Sequence, residues 1–88
     1  MHTDEYEISI GREIKLCRDV IRLLRKAIEA RELQKGMSTN ELRGALGRGE
    51  LDASNPEVSA WLKDHRELQA WESKLREYEE ALDSLKGI

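Results

Sequence analysis

The fold is decided by one stretch, residues 10–33, which reads IGREIKLCRDVIRLLRKAIEAREL. Apolar residues recur there at alternating steps of four and three, which is the spacing of one face of an α-helix. They form a first row of Ile10, Ile14, Cys17, Ile21, Leu24 and Ile28. A second row runs beside it, roughly 120° away around the helix, and consists of Leu16, Val20, Leu23, Ala27 and Ala30. Together the rows cover about half of the circumference, so this helix needs more than one neighbour.

The residues before this stretch place the start of the first long helix. Thr3 or Asp4 is a suitable N-cap, and the acids that follow complement the positive end of the helix dipole. Ser9 is the alternative N-cap, because Gly11 costs roughly 1 kcal/mol inside a helix. We favour the earlier start. At the other end, Gly36 is a suitable residue to follow the last turn.

A connector of about twenty residues follows, which is far longer than two antiparallel helices require. Ser38 and Glu41 have the spacing of a capping box and predict a short helix, which Gly47 and Gly49 end. The connector's leucines are expected to fold back and pack over the end of the long helices. They are Leu42, Leu46 and Leu51.

A second long helix is predicted to begin at Pro56, with Asn55 as N-cap and Glu57 in the first turn. Its apolar row is Val58, Trp61, His65, Leu68, Trp71, Leu75, Tyr78, Leu82 and Leu85. The mean step is a little under 3.5 residues, which is typical of the seam of a left-handed coiled coil. Gly87 is expected to end this helix.

The predicted architecture is all-α, a single domain of residues 1–88. The chain has 88 residues with one Pro and no Phe, and it lacks alternating β-branched runs, which leaves little room for a sheet. The helices are expected at about 4–35, 39–46 and 56–86. Two long helices of nearly equal length with a connector at one end indicate an antiparallel hairpin.

Charge is unevenly distributed along the chain. The net charge of −3 gives no bulk attraction to nucleic acid or to an anionic membrane. Residues 12–26 nevertheless carry six Lys and Arg against two Asp and Glu, a net of +4. In an antiparallel register they face the acidic half of the last helix, which carries Glu67, Glu72, Glu77, Glu79, Glu80 and Asp83. This complementarity is expected to set direction and register.

Five cations share one arc of the first long helix, interrupted by Glu29. They are Lys15, Arg18, Arg22, Arg25 and Lys26, and we call them the basic face. The favoured interpretation is a solvated face whose edge pairs with the acidic helix. The alternative is a surface that contacts phosphates, since a basic helical face is a common nucleic-acid interface. No aromatic residues interleave with these cations, which weighs against that alternative.

The remaining candidates for chemistry are better explained by structure. Residues 43–49 are rich in Gly and Arg but lack the order of a phosphate-binding loop, so they are interpreted as a helix stop and turn. His65 has no partner at metal-ligand spacing and is expected at the edge of the core. Cys17, the single cysteine, is expected to be a buried, reduced thiol. We predict no catalytic site, no metal and no cofactor.

The second row of the first long helix determines the functional prediction. The last helix can cover one side of the first helix, so Leu16, Val20, Leu23 and Ala27 are predicted to mediate self-association. The simplest assembly is a two-fold homodimer that forms a four-helix bundle. The expected function is a small cytoplasmic adaptor or regulatory module without catalysis or membrane insertion. A heterologous helical partner is a variant of this prediction, and a nucleic-acid-associated protein is the alternative.

Overall fold

The computed structural model describes residues 5–86 and contains three helices within that range. They are α1, Glu5–Lys35, α2, Thr39–Gly47, and α3, Pro56–Lys86. No strand occurs among these residues, so the all-α prediction is confirmed. The candidate caps Thr3 and Asp4 and the candidate stop Gly87 lie outside the described residues.

Helix α1 continues through Gly11 without a break, which confirms the earlier of the two predicted starts over Ser9. At the other end, Gly36 adopts a φ of +63°, and the amide of Met37 donates to the carbonyl of Glu32 at 3.2 Å. A left-handed residue at this position is the common way to end a helix.

The short helix α2 begins with the predicted capping box. The hydroxyl of Ser38 accepts from the amide of Glu41 at 3.1 Å, and the Glu41 carboxylate accepts from the amide of Ser38 at 3.4 Å. Helix α3 begins with Asn55, whose side-chain oxygen accepts from the amides of Glu57 and Val58 at 2.9 and 3.3 Å. Both starts satisfy amides that the first turn of a helix leaves without partners.

Helices α1 and α3 contact each other along their length, and the first row of α1 lies between them. The row's buried members are Ile10, Ile14, Cys17, Ile21 and Ile28, while Leu24 is half-buried. Ion pairs between the helices come in reverse order along the chain: Arg18–Glu79 at 3.1 Å, Arg25–Glu72 at 2.6 Å, Arg31–Asp64 at 3.4 Å and Lys35–Glu57 at 2.7 Å. The long helices therefore run antiparallel.

The resulting molecule is a rod of 59 × 20 × 19 Å. Its radius of gyration is 17.5 Å, whereas a globular chain of this length would have a value of about 12 Å. A rod only two helices thick has little interior, so few side chains are fully enclosed.

The connector closes one end of the rod, mainly through Leu42, one of the three predicted leucines. Leu42 is 1% exposed and Ala45 is buried beside it. Leu46 is half-buried, and Leu51 is 37% exposed. The prediction is therefore confirmed for Leu42 and holds in part for Leu51, which lines a hollow beside Leu42 and Trp61 but stays more exposed because it follows the turn at Gly49, outside α2.

A short chain of hydrogen bonds joins all three helices at this closed end. The indole Nε1 of Trp61 donates to the hydroxyl of Thr39 at 2.9 Å, and that hydroxyl donates to the Glu32 carboxylate at 2.9 Å. The amide of Thr39 donates to the same carboxylate oxygen at 2.7 Å. Thr39 and Trp61 are both buried. Since an unpaired buried donor is costly, this chain fixes α2 against α1 and α3.

Replacing the central hydroxyl tests this arrangement. Thr39→Val keeps the shape and the backbone bond to Glu32, but it leaves the buried Trp61 Nε1 without an acceptor. We expect a loss of about 1–3 kcal/mol in the free energy of unfolding, measured by urea denaturation at one protein concentration. Thr39→Ser keeps both side-chain bonds and should stay close to the unmodified chain. Equal stabilities of the Val and Ser variants would contradict the role given to the hydroxyl.

Candidate interaction surfaces

The second row of α1 is not covered by α3. Leu16 is 47% exposed and Leu23 is 66% exposed, while Val20 between them is half-buried and Ala27 is exposed. We call these four residues the outer stripe. They lie on one side of α1 within twelve consecutive positions, whose first and last Cα atoms are about 17 Å apart along the axis. All four residues predicted to mediate self-association therefore belong to one apolar surface that the chain itself leaves accessible.

The exposed edge of α3 on the same side is also apolar. Arg31 of α1 and Asp64 of α3 form an ion pair on this side. By helical position, Val20 lies about 20° from Arg31 around the axis of α1. Trp71 likewise lies about 20° from Asp64 around the axis of α3. Trp71 is half-buried, with the ammonium of Lys74 5.4 Å from its ring centroid. The outer stripe and this edge thus form one side of the rod.

The basic face lies along the opposite edge of the rod, and most of its cations are paired. Arg18 and Arg25 bind Glu79 and Glu72 of α3, so these two fasten the helices together. Lys15 and Arg22 bind the two carboxylate oxygens of Asp19 at 3.0 and 2.8 Å. Lys26 makes no ion pair within residues 5–86.

These pairs have a local electrostatic consequence. The hydrogen bond from Lys15 holds the pKa of the Asp19 carboxyl below its usual range, and the charge of Arg22 acts in the same direction. Asp19 therefore stays ionised and neutralises part of the basic face. Pairs this exposed contribute ~0–1 kcal/mol each, and salt screens them.

A groove of about 590 Å³ follows the basic face between α1 and α3. Its walls carry five cations and two acids, and its floor is apolar. The lining residues are Arg18, Ile21, Arg22, Arg25, Lys26, Glu29, Glu72, Leu75 and Arg76. The five positive and two negative lining side chains sum to +3, and Glu79 and Asp19, which pair with Arg18 and Arg22 from outside the lining, reduce this to +1, in a chain whose net charge is −3. We call it the cationic groove.

The groove includes one cation that the sequence prediction did not contain. Arg76 lies on α3, whereas the basic face was defined on α1 alone. The register could have identified it, because the pairs Arg18–Glu79 and Arg25–Glu72 bring position 76 opposite the middle of the basic face. Lys15 belongs to the basic face but does not line the groove.

A smaller apolar hollow of about 270 Å³ lies at the closed end of the rod. Met37, Leu42, Leu51, Val58 and Trp61 form its walls, and the ion pair between Lys35 and Glu57 lies at its rim. The hollow is below the ~300–1,000 Å³ typical of ligand pockets, and its walls are mainly apolar. It gives no basis for a cofactor site.

The other sequence candidates take ordinary structural places. Residues 43–47 belong to α2, and Gly49 forms the turn after it with a φ of +75°. His65 is half-buried, and its Nε2 is enclosed without a hydrogen-bond partner. His2 lies outside the described residues. Within residues 5–86, no three His, Cys, Asp or Glu side chains form a group that could hold a metal ion.

In the part of the chain that the structure describes, no helix combines the length and the apolar character needed to cross a membrane. Comparison of the chain with models of protein families, with curated proteins and with solved structures finds no match.

Cys17 is enclosed in the seam between the long helices, as predicted. Its side chain is 0% exposed, and burial raises the pKa of the thiol above its ordinary value. The nearby ammonium of Lys74 acts in the opposite direction but is the smaller influence. The thiol is thus neutral at physiological pH and is a packing group of the core.

The burial of Cys17 predicts slow alkylation. Iodoacetamide at about pH 8 should modify the folded chain on the order of 100-fold more slowly than the chain in urea, because reaction requires local opening of the seam. Mass spectrometry of quenched time points gives both rates. A folded chain that reacts as fast as the unfolded one would show that the seam does not enclose this side chain.

Proposed function

We propose that this protein is a non-catalytic helical interaction module that self-associates through the outer stripe. The simplest assembly is a two-fold homodimer in which two α1–α3 pairs form a four-helix bundle. The observation that carries the proposal is the exposure of Leu16 and Leu23, 47% and 66%, in the middle of an otherwise regular apolar row. Isolated exposed leucines are common on proteins, but a continuous row over three helical turns is typical of an interface.

The energetics favour covering this stripe. Full burial of a Leu or Val side chain is worth about 1.5–3 kcal/mol. Leu16 and Leu23 are about half exposed, and Val20 is less so. Burying the exposed part of each side chain would therefore contribute roughly half of that free energy. A two-fold interface buries every residue of the stripe twice, so the gain is doubled. The total is comparable with the ~5–15 kcal/mol stability of a small domain.

The accessible surface supports the same proposal. The chain exposes 6418 Å², whereas a compact monomer of its mass would expose about 5,300 Å². The excess of about 1,100 Å² exceeds the ~800 Å² that each partner buries in an interface of standard size. Trp71 and Tyr78, both half-buried, would widen the contact on the α3 side.

The occupant that we propose for the stripe is a second copy of this chain. A two-fold contact needs one self-complementary patch, and a mainly aliphatic row meets that requirement without charge matching. The reduced, enclosed Cys17 agrees with a cytoplasmic setting. Nucleic-acid binding is not part of the proposal, because acids neutralise most of the basic face.

Analytical ultracentrifugation tests the proposal directly. At micromolar concentration, sedimentation equilibrium should give twice the 10.2 kDa mass of the chain. The triple variant Leu16→Gln, Val20→Gln, Leu23→Gln should shift toward monomer, with a melting temperature that no longer depends on protein concentration.

A matched control separates this effect from a general loss of apolar surface. Ile8, Leu33 and Leu51 are exposed apolar residues outside the stripe. Their triple replacement by Gln should leave the dimer unchanged. An unmodified chain that stays folded and monomeric at high concentration would refute self-association. If a helical partner then bound to this monomer, that partner would replace the second copy as the occupant of the stripe.

A further inference from the structure

We infer that the cationic groove is a docking site for an acidic segment of a partner protein. This segment carries an apolar side chain between its carboxylates. The groove lies on a different side of the rod from the outer stripe: by helical position the two surfaces are roughly 140° apart around α1. A dimer formed through the stripe would leave the groove accessible. The inference therefore concerns a second interface and does not depend on the first.

Three of the five cations can bind a ligand without opening the rod. Arg18 and Arg25 are held by Glu79 and Glu72 across the helices. Arg22 binds Asp19 of its own helix, and its side chain remains 64% exposed. On the other wall, Arg76 donates to the hydroxyl of Ser73 at 3.1 Å.

Lys26 is the third of these cations, since it makes no ion pair within residues 5–86. An incoming carboxylate can thus contact Arg22, Lys26 and Arg76 without displacing a contact between α1 and α3. The positive charge of these three side chains complements an acidic ligand. Long-range attraction between the groove and the ligand would mainly raise the rate of association.

The floor of the groove gives the second part of the specificity. Ile21 is buried and Leu75 is half-buried, and both line the groove between the cations of α1 and Arg76 of α3. An apolar side chain placed on this floor would be removed from water while charges on either side meet the walls. The cations of α1 extend from Arg18 to Lys26, about 12 Å. That length matches two turns of a helix or about four residues of extended chain.

The acids of the groove favour a peptide over a nucleic acid. Glu29 and Glu72 are part of its lining. A duplex carries one negative charge per ~1.7 Å of its axis, so its backbone would meet these carboxylates wherever it crossed them. The lining residues include no aromatic side chain on which a base could stack. A peptide can space its carboxylates to avoid both acids.

Selection from a displayed library of random 12-residue peptides on the full chain tests the inference. We expect enrichment of peptides that combine several Asp or Glu with one large apolar residue. A synthetic peptide of the enriched sequence, followed by fluorescence anisotropy, should bind at physiological salt and weaken several-fold as salt is raised. The variant Arg22→Gln, Lys26→Gln, Arg76→Gln should weaken it by about tenfold or more.

The control removes the same charge from a different part of the surface. Arg43, Lys63 and Arg66 are exposed and do not line the groove. Their joint replacement by Gln should change the affinity by no more than about twofold, since only screened long-range attraction is lost. Circular dichroism melts and sedimentation of both triple variants should match those of the unmodified chain, which keeps this test separate from that of self-association.

Several results would overturn the inference. One is enrichment without acidic residues. Another is equal loss of affinity in the two triple variants, which would indicate net charge alone. A third is tight binding of labelled duplex or single-stranded DNA at about 150 mM salt that competes with the peptide, which would identify the groove as a nucleic-acid interface.

Discussion

Two helices that lie side by side share a single line of contact, and this constraint governs the whole molecule. Helix α1 carries two apolar rows, yet α3 can enclose only the one that contains Cys17, Ile21 and Ile28. The row that contains Leu16 and Leu23 remains in water because residues 5–86 form no third long helix that could cover it. The same constraint explains the α3 side, where Trp61 is buried and the rest of the apolar row is half-buried. In a rod of this kind, the second apolar row is either covered by association or stays exposed to water.

The two ends of the rod are held in different ways. At the closed end, α2 adds the buried Leu42 and the hydrogen bonds among Trp61, Thr39 and Glu32. At the other end, the first turns of α1 carry Tyr6 and Ile8, which are exposed. The buried hydrogen bonds are therefore at the closed end, whereas buried apolar side chains continue along α1 as far as Ile10. Local opening far from α2 is expected to be easiest in the first turn of α1, before Ile10, because the free energy of opening follows the density of buried contacts.

The sequence was sufficient for the parts of the fold that depend on local rules. Helix periodicity, the capping box at Ser38 and the cap at Asn55 each act within a few residues, and the structure confirms them. It was less informative about the connector, where it did not determine how far Leu46 and Leu51 are covered or that Ala45 is buried beside Leu42. The bond from Trp61 to Thr39 spans 22 residues and has no local signal. Arg76 was missed for a similar reason: its place beside the basic face follows from the register between helices and not from its own neighbours in the chain.

The charged and the apolar edges of α1 have different effects on helix packing. Arg18 and Arg25 lie at the edge of α1 that meets α3, so their pairing with Glu79 and Glu72 selects the antiparallel direction while adding little stability. Charge at that edge also discourages a second apolar helix from packing there, because burying these ions would cost more than their attraction returns. The edge near Val20 carries one ion pair between the helices, Arg31–Asp64 at 3.4 Å, beside the apolar side chains of Val20 and Trp71. The proposed association by apolar contact uses one side of the rod, and the proposed recognition by charge uses the other. A change of sign at Arg18 or Arg25 would disturb the helix pair itself, whereas Arg22, Lys26 and Arg76 can be replaced without breaking an ion pair between α1 and α3.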